Sequence, residues 1–265
     1  MRLSISHTTR YQFPEPVSFG LQQLRKTPKT SHQQNVVDWT TDVTGGRKEL
    51  SFQDHHNNVV ELLSIEPGTQ ELTITSSGTL DITESHGILG PHPGPAPLWL
   101  YLRATNQTKP GQGVAGLVRQ VDAEGDLDQL HALSAVIRDQ VTYELEASEP
   151  NWSAEDAITA GKGVCQDHTH IFLAGARRLG YPARYVSGYL MLNDSIRQEA
   201  MHAWAEVHVD GLGWVGFDIS NGISPDTRYV RVATGLDYAD AAPVTGTRIG
   251  GSGERLSVEI EVAQQ

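Results

Sequence analysis

The stretch Gly161-Lys162-Gly163-Val164-Cys165-Gln166-Asp167-His168-Thr169-His170, running on to Ile171-Phe172-Leu173-Ala174-Gly175, holds the only cysteine of the 265-residue chain. Two glycines precede Cys165 and an apolar helical pattern follows it, with Gly180 and Pro182 as its stop signals. A cysteine at a helix N-terminus meets unpaired backbone N–H groups and the positive end of the helix dipole. Both favour thiolate over thiol, and a thiolate is a nucleophile.

A base for that nucleophile lies downstream. Met201-His202-Ala203-Trp204-Ala205-Glu206-Val207-His208-Val209 alternates as a strand does, which puts His202, Trp204, Glu206 and His208 on one face. Asp210-Gly211 turns the chain, and Gly213-Trp214-Val215-Gly216-Phe217-Asp218 returns as a second strand. With residues 210–212 as the loop, Trp204 stands opposite Asp218 and His202 is its diagonal neighbour, within side-chain reach. Cysteine, histidine and carboxylate then follow in the order nucleophile, base, orienting acid that covalent acyl transfer requires.

Three blocks, GVCQDHTHIF, RRLGYPARYVSGYL and HAWAEVHVDGLGWVGFD, resemble the bacterial transglutaminase-like superfamily, a papain-related group of cysteine acyltransferases and proteases. The opening MRLSISHTTRYQFPEPV and the closing RVATGLDYADAAPVTGTRIGG resemble the flanking regions of its bacterial members. The resemblance implies a nucleophile at Cys165, a base at His202 and an orienting acid at Asp218. It also implies an α+β fold: an N-terminal β-sandwich-like region, then a papain/transglutaminase-like core with the cysteine helix on an antiparallel sheet. Two departures from the family pattern stand out. His168 stands where an aromatic residue is typical, and Ile219-Ser220 stands where Pro-Thr usually follows the aspartate.

The rest of the chain sets bounds. Twenty Lys and Arg against 32 Asp and Glu give a formal charge of −12, which argues against nucleic acid and anionic membrane surfaces as partners. A single cysteine excludes an intramolecular disulfide, and the first residues alternate rather than forming the apolar core of a signal peptide, so the expected compartment is the cytoplasm. Residues 2–13, 36–43, 49–53, 59–65 and 71–82 read as strands of an N-terminal β domain, residues 1–86. Between them His55-His56 reads as part of a solvated turn. Residues 87–97, rich in Pro and Gly, read as a linker to a catalytic domain at 98–265. Within that domain residues 114–121 and 126–141 read as helices, with Asp126 and Gln129 resembling a capping box. Residues 183–192 and 229–233 read as strands, residues 193–200 as a mobile flap, 235–253 as loop, and 256–262 as a final strand.

Beyond the triad, Tyr143, Trp152, Gln166, His168 and Trp204 are candidates for the substrate-facing surface, with packing as the alternative for Tyr143 and Trp152. For His168 the alternatives are sideways packing, like the aromatic it replaces, and a place facing the cleft. The expected substrate is the amide of a peptide or protein, with no cofactor and no metal. Two other readings stay open: a binding or scaffold protein with an idle triad, and a zinc hydrolase using Cys165, His168, His170, His202 and His208. The zinc spacing is poor, because His202 and His208 are separated by roughly 20 Å along a strand at ~3.3 Å per residue.

Overall fold

Two large antiparallel sheets and a buried helix between smaller ones form the frame of the protein, and a computed structural model describes every residue except 146 and 150. Strand β1 (Arg2–Leu24) is the spine of the first sheet. Leu3, Ile5, His7, Thr9, Tyr11 and Phe13 alternate inward along it, as a half-buried strand requires. β2 (Gln34–Thr44), β3 (Gly46–Gln53), β4 (Val59–Ile65) and β5 (Thr69–Ile82) follow; β5 and β4 pair with β1, β2 with β5, and β3 with β4.

The 87–97 stretch is not a free linker. It contributes β6 (Ile88–Gly90), Ala96 is buried, and His92 accepts a hydrogen bond from Trp214 Nε1 at 3.0 Å. A 3₁₀ turn follows at Leu98–Leu102, then α1 (Gln112–Val118) and α2 (Asp126–Gln140). The expected capping box is absent: Gly125 is the N-cap, and Asp126 instead accepts from the Tyr181 hydroxyl at 2.8 Å. β7 (Thr142–Tyr143), α3 (Ala154–Ala160) and β8 (Lys162–Gly163) lead into α4 (Cys165–Arg178). β9 (Ala183–Leu190), β10 (Arg197–Gln198), β11 (His202–Val209), β12 (Gly213–Phe217) and β13 (Tyr229–Gly235) come next.

The second sheet runs in the order β13-β9-β11-β12-β6. Helix α4 lies on β11 and β9 and is covered by α1, α2 and α3. It is buried on every side from Asp167 to Arg177, as a helix at the centre of a core must be. Ile171, Phe172, Leu173 and Ala174 of α4 pack with Leu133, Ile137, Ala205 and Phe217.

Residues 235–253 are more ordered than their glycines suggest. They hold α5 (Tyr238–Ala241) and β14 (Val244–Gly250), which pairs with the second half of β1. β15 (Arg255–Gln264) pairs with the first half of β1 from Leu3↔Gln264 to Gln12↔Arg255. The last two strands of the 98–265 segment thus complete the N-terminal sheet, so the sequence boundary does not separate two independent sheets. The flap at 193–200 is tied down as well: β10 pairs with β15, and Arg197 meets Glu261 at 3.0 Å.

A polar belt divides the apolar interior of the first sheet. Lys26 is fully buried, donates to Thr9 Oγ1 at 2.5 Å, and is pushed down to about 7 by burial. Thr9 contacts His7 Nε2, and His7 Nδ1 contacts the Tyr189 hydroxyl of β9 at 3.0 Å. The His55-His56 turn is likewise only half solvated. His56 is buried and reaches Asp240 at 3.3 Å, because α5 folds over it.

Ile260 of β15 is buried among Leu3, Ile5, Leu80 and Val230, and so joins strands from both ends of the chain. Ile260→Ala is expected to cost about 2–5 kcal/mol and to shift a single urea-unfolding transition; two separated transitions would show the sheets to be independent units.

Candidate active site

Local chemistry sets the cysteine at its helix start. Asp167 accepts from the Val164 N–H at 2.8 Å and from the Ser148 hydroxyl at 3.1 Å, which caps the first turn of α4. Burial holds the Asp167 carboxyl above its usual range, while those hydrogen bonds work in the opposite direction. Gly163 is required by this cap: a Cβ there would stand 2.7 Å from the Asp167 Cβ. Parallel pairing of Tyr143 with Gly163 fixes the approach to the helix. Cys165 itself is half-buried at the N-terminus of α4, where helical N–H groups lack intrahelical acceptors.

The hairpin takes the register read from its sequence. Val209 pairs with Gly213 and Ala205 with Phe217, leaving 210–212 as the loop. On the other side His202 lies opposite Gly188 of β9, and Trp204 packs so closely over Gly188 that a Cβ there would stand 2.3 Å from the indole. His202 Nε2–H donates to Asp218 Oδ2 at 2.6 Å, which leaves Nδ1 as the nitrogen for the thiol.

Asp218 is 1% exposed and accepts from four donors. Besides His202 these are the Tyr229 hydroxyl at 2.6 Å, Asn221 Nδ2 at 2.7 Å and the Asn221 backbone N–H at 3.1 Å. Burial alone would raise this carboxyl, but the bonds from His202, Tyr229 and Asn221 outweigh it and hold it below its usual range. The same balance acts on His202. Burial opposes its charge, yet hydrogen bonds with Asp218 and Cys165 and the fields of both raise it to about 10. Cys165, His202 and Asp218 are therefore one coupled group.

The remaining candidates divide by burial. Tyr143 is 47% exposed, and its phenol is held above its ordinary value by partial burial and by the fields of Cys165 and Asp218, so it borders the site. Gln166 and Trp152 are half-buried, and Trp152 packs against the core around α4. His168 and Trp204 are buried at 1% and 2% and do not form an open surface. Trp204 stacks behind the His202 ring at 6.3 Å and meets Tyr229 edge-on at 5.4 Å. His168 packs inward and bonds Val141 O and Ser220 Oγ, the sideways placement.

Sequence reasoning missed Tyr229 and Asn221. Asn221 was within reach of inspection, since an Asn three residues past a strand-end Asp can close an Asx-type turn. Tyr229 depends on a long-range strand pairing. A metal reading finds little geometry: His168 spends both ring nitrogens on protein partners, and His170 Nε2 accepts from the Tyr238 N–H. Among the described residues no group of three or more His, Cys, Asp or Glu is placed to hold an ion.

Residues 115–219 match the transglutaminase-like superfamily, and residues 3–81 match the bacterial transglutaminase-like N-terminal region. An uncharacterized protein of Mycobacterium leprae is 26% identical over 282 residues, 99% of either chain. An uncharacterized protein of Mycobacterium tuberculosis is 28% identical over 273 residues, covering 92% of this chain and 87% of its own. A solved structure from Cytophaga hutchinsonii, named a "putative cysteine protease", shares the fold with a TM-score of 0.80 at 23% identity, over 99% of this chain and 90% of that one.

The raised His202 value fixes the sign of a pH effect. A group whose pKa rises on folding, here from 6.5 to about 10, adds stability in full below pH 6.5 and loses it as pH climbs through about 10. Denaturant titrations between pH 6.5 and 10 should show the native protein losing stability with rising pH more steeply than Asp218→Asn.

Proposed function

Because this chain belongs to the transglutaminase-like superfamily, we propose that it is a cysteine-dependent enzyme that transfers the acyl group of a peptide or protein amide, to water rather than to a second amine. The observation that carries the reading is the His202–Asp218 bond of 2.6 Å, buried at the carboxylate and coupled to Cys165. A charged imidazole held this way keeps its proton at neutral pH, so it is a partner for a thiolate and a proton donor for a leaving amine.

The steps follow from those positions. Cys165 Sγ attacks the amide carbonyl, and the developing oxyanion is met by the backbone N–H of Cys165 at the start of α4. His202 passes its proton to the amine, the C–N bond breaks, and a thioester remains on Cys165. His202, now neutral, takes a proton from water, whose oxygen adds to the thioester and releases the acid and the thiolate. Asp218 keeps the ring oriented through both halves and stabilises its positive charge. Tyr143 borders the site from the α2 side, and Gln166 follows the nucleophile; both are assigned here to substrate contact.

The preference for water is supported by the family resemblance and by the protease name of the Cytophaga hutchinsonii relative. We place the activity in the cytoplasm, where a reducing environment keeps the single thiol free. No membrane-crossing helix occurs among the described residues.

Reaction of Cys165 with iodoacetamide across pH tests the reading. At neutral pH alkylation should be fast in the parent and much slower in His202→Ala, whose thiol lacks its imidazolium partner; equal rates in the two would refute the activated thiol. With a turnover substrate in hand, Cys165→Ala and His202→Ala should each abolish the reaction, and the double variant should be no worse, because the two act in one step.

A further inference from the structure

His168 sits three residues after the nucleophile on α4, buried, and both of its ring nitrogens are engaged. Nε2 lies 3.0 Å from the Val141 carbonyl and Nδ1 lies 2.9 Å from the Ser220 hydroxyl. A carbonyl only accepts, so Nε2 carries the proton; the neutral ring then offers Nδ1 as the acceptor for the Ser220 O–H. Burial, the first cause, and the nearby Arg138 hold the ring below its ordinary value, against the Val141 bond and the Asp218 charge.

Each end of this link matters for the site. Val141 is the C-cap of α2, and its carbonyl lies at a helix end where such groups lack intrahelical donors. Ser220 lies in the turn that begins at Asp218. That turn is braced within itself by Gly222 N–H to Asp218 O at 2.8 Å and by Asn221 to the Asp218 carboxylate. Arg138 of α2 lies against Gly222 in the same turn. These internal bonds fix the shape of the turn but not its distance from α4. Among the described side chains, the His168–Ser220 hydrogen bond is the one that joins the nucleophile's helix to this turn.

We propose that His168 and Ser220 are positioning residues: a neutral strut that sets the Asp218 turn, and through it the His202 ring, at a fixed distance from Cys165. This rests on the acyl-transfer reading for its consequence, but its geometry does not. Of the residues that depart from the family's pattern, His168 is the one that makes this link, since a threonine at 220 would offer the same hydroxyl. A phenylalanine at 168 would fill the space and make neither bond, leaving the Val141 carbonyl and the Ser220 hydroxyl without this partner.

The test compares the parent protein with Ser220→Ala, Ser220→Thr and His168→Phe. Ser220 is half-buried, so its alanine variant removes one hydroxyl from a turn that is otherwise braced. The first readout is the titration midpoint of the His202 ring by NMR of imidazole-labelled protein. The second is the iodoacetamide alkylation of Cys165 against pH. Loosening the turn weakens the His202–Asp218 bond, so Ser220→Ala and His168→Phe should lower the His202 midpoint by about one pKa unit, a tenfold loss of proton affinity. Alkylation on the alkaline side should shift in step, while Ser220→Thr, which keeps the hydroxyl, should follow the parent. A purely structural role would lower the melting temperature and leave the midpoint alone. The proposal is overturned if the Ser220→Ala midpoint equals the parent's, or if Ser220→Thr falls as far as Ser220→Ala. Equal alkylation of Cys165 in the parent and in His202→Ala would sink the acyl-transfer reading instead, and the His202 midpoints would still decide the strut.

Discussion

The buried carboxylate of Asp218 imposes the constraint that the rest of the site obeys. A desolvated carboxylate is costly unless its lone pairs are filled, and here four donors fill them. Those donors come from separate parts of the chain: His202 begins β11, Asn221 closes the turn after β12, and Tyr229 begins β13. Satisfying one charge therefore fixes the ends of three strands. The same bonds leave the second nitrogen of His202 to Cys165, so the group that organises the sheet ends also orients the proposed acid–base partner.

Helix α4 supplies the other half. Its burial on all sides gives it no freedom to slide, and the Asp167 cap and Gly163 fix its first turn. In the proposed reaction the chemistry is carried where this immobile helix meets the strand ends held by Asp218. The N-terminal sheet bears on the same place from behind. Tyr189 of β9 reaches into it through His7, and Gln34 of β2 donates to Arg231 O and accepts from Arg231 N–H. Glu206, one turn of the pleat beyond Trp204, is buried between Arg184 at 2.5 Å and Arg231 at 2.8 Å. A buried charge of that kind requires its partners, since removing one would strand the others without solvent.

Much of this was legible in the chain. The cysteine helix announced itself through two glycines and an apolar run, and the hairpin through strict alternation around Asp210-Gly211. Both signals are local, and their registers follow from side-chain period alone. What escaped is non-local or locally disguised. Nothing near Tyr229 says that its hydroxyl meets Asp218, because the contact is created by β13 pairing with β9. Residues 244–250 carry too many glycines and polar residues to read as a strand, yet β1 is long enough to accept them along its second half. The His55-His56 turn reads as solvated, yet His56 is buried because helix α5 closes over it. His168 was legible as an anomaly but not as a strut, since Val141 and Ser220 lie 27 and 52 residues away in sequence.

In the proposed reaction Cys165 forms a covalent acyl intermediate with an amide carbonyl. The most direct measurement is intact-protein and peptide mass spectrometry after incubating the protein with a library of peptide amides and quenching in acid. An added acyl mass is expected on Cys165 alone, present in the parent, enriched in Asp218→Asn if the second step slows, and absent in Cys165→Ala. An unmodified Cys165 in a parent sample that nonetheless cleaves the peptides, or an acyl mass on another residue, would contradict it.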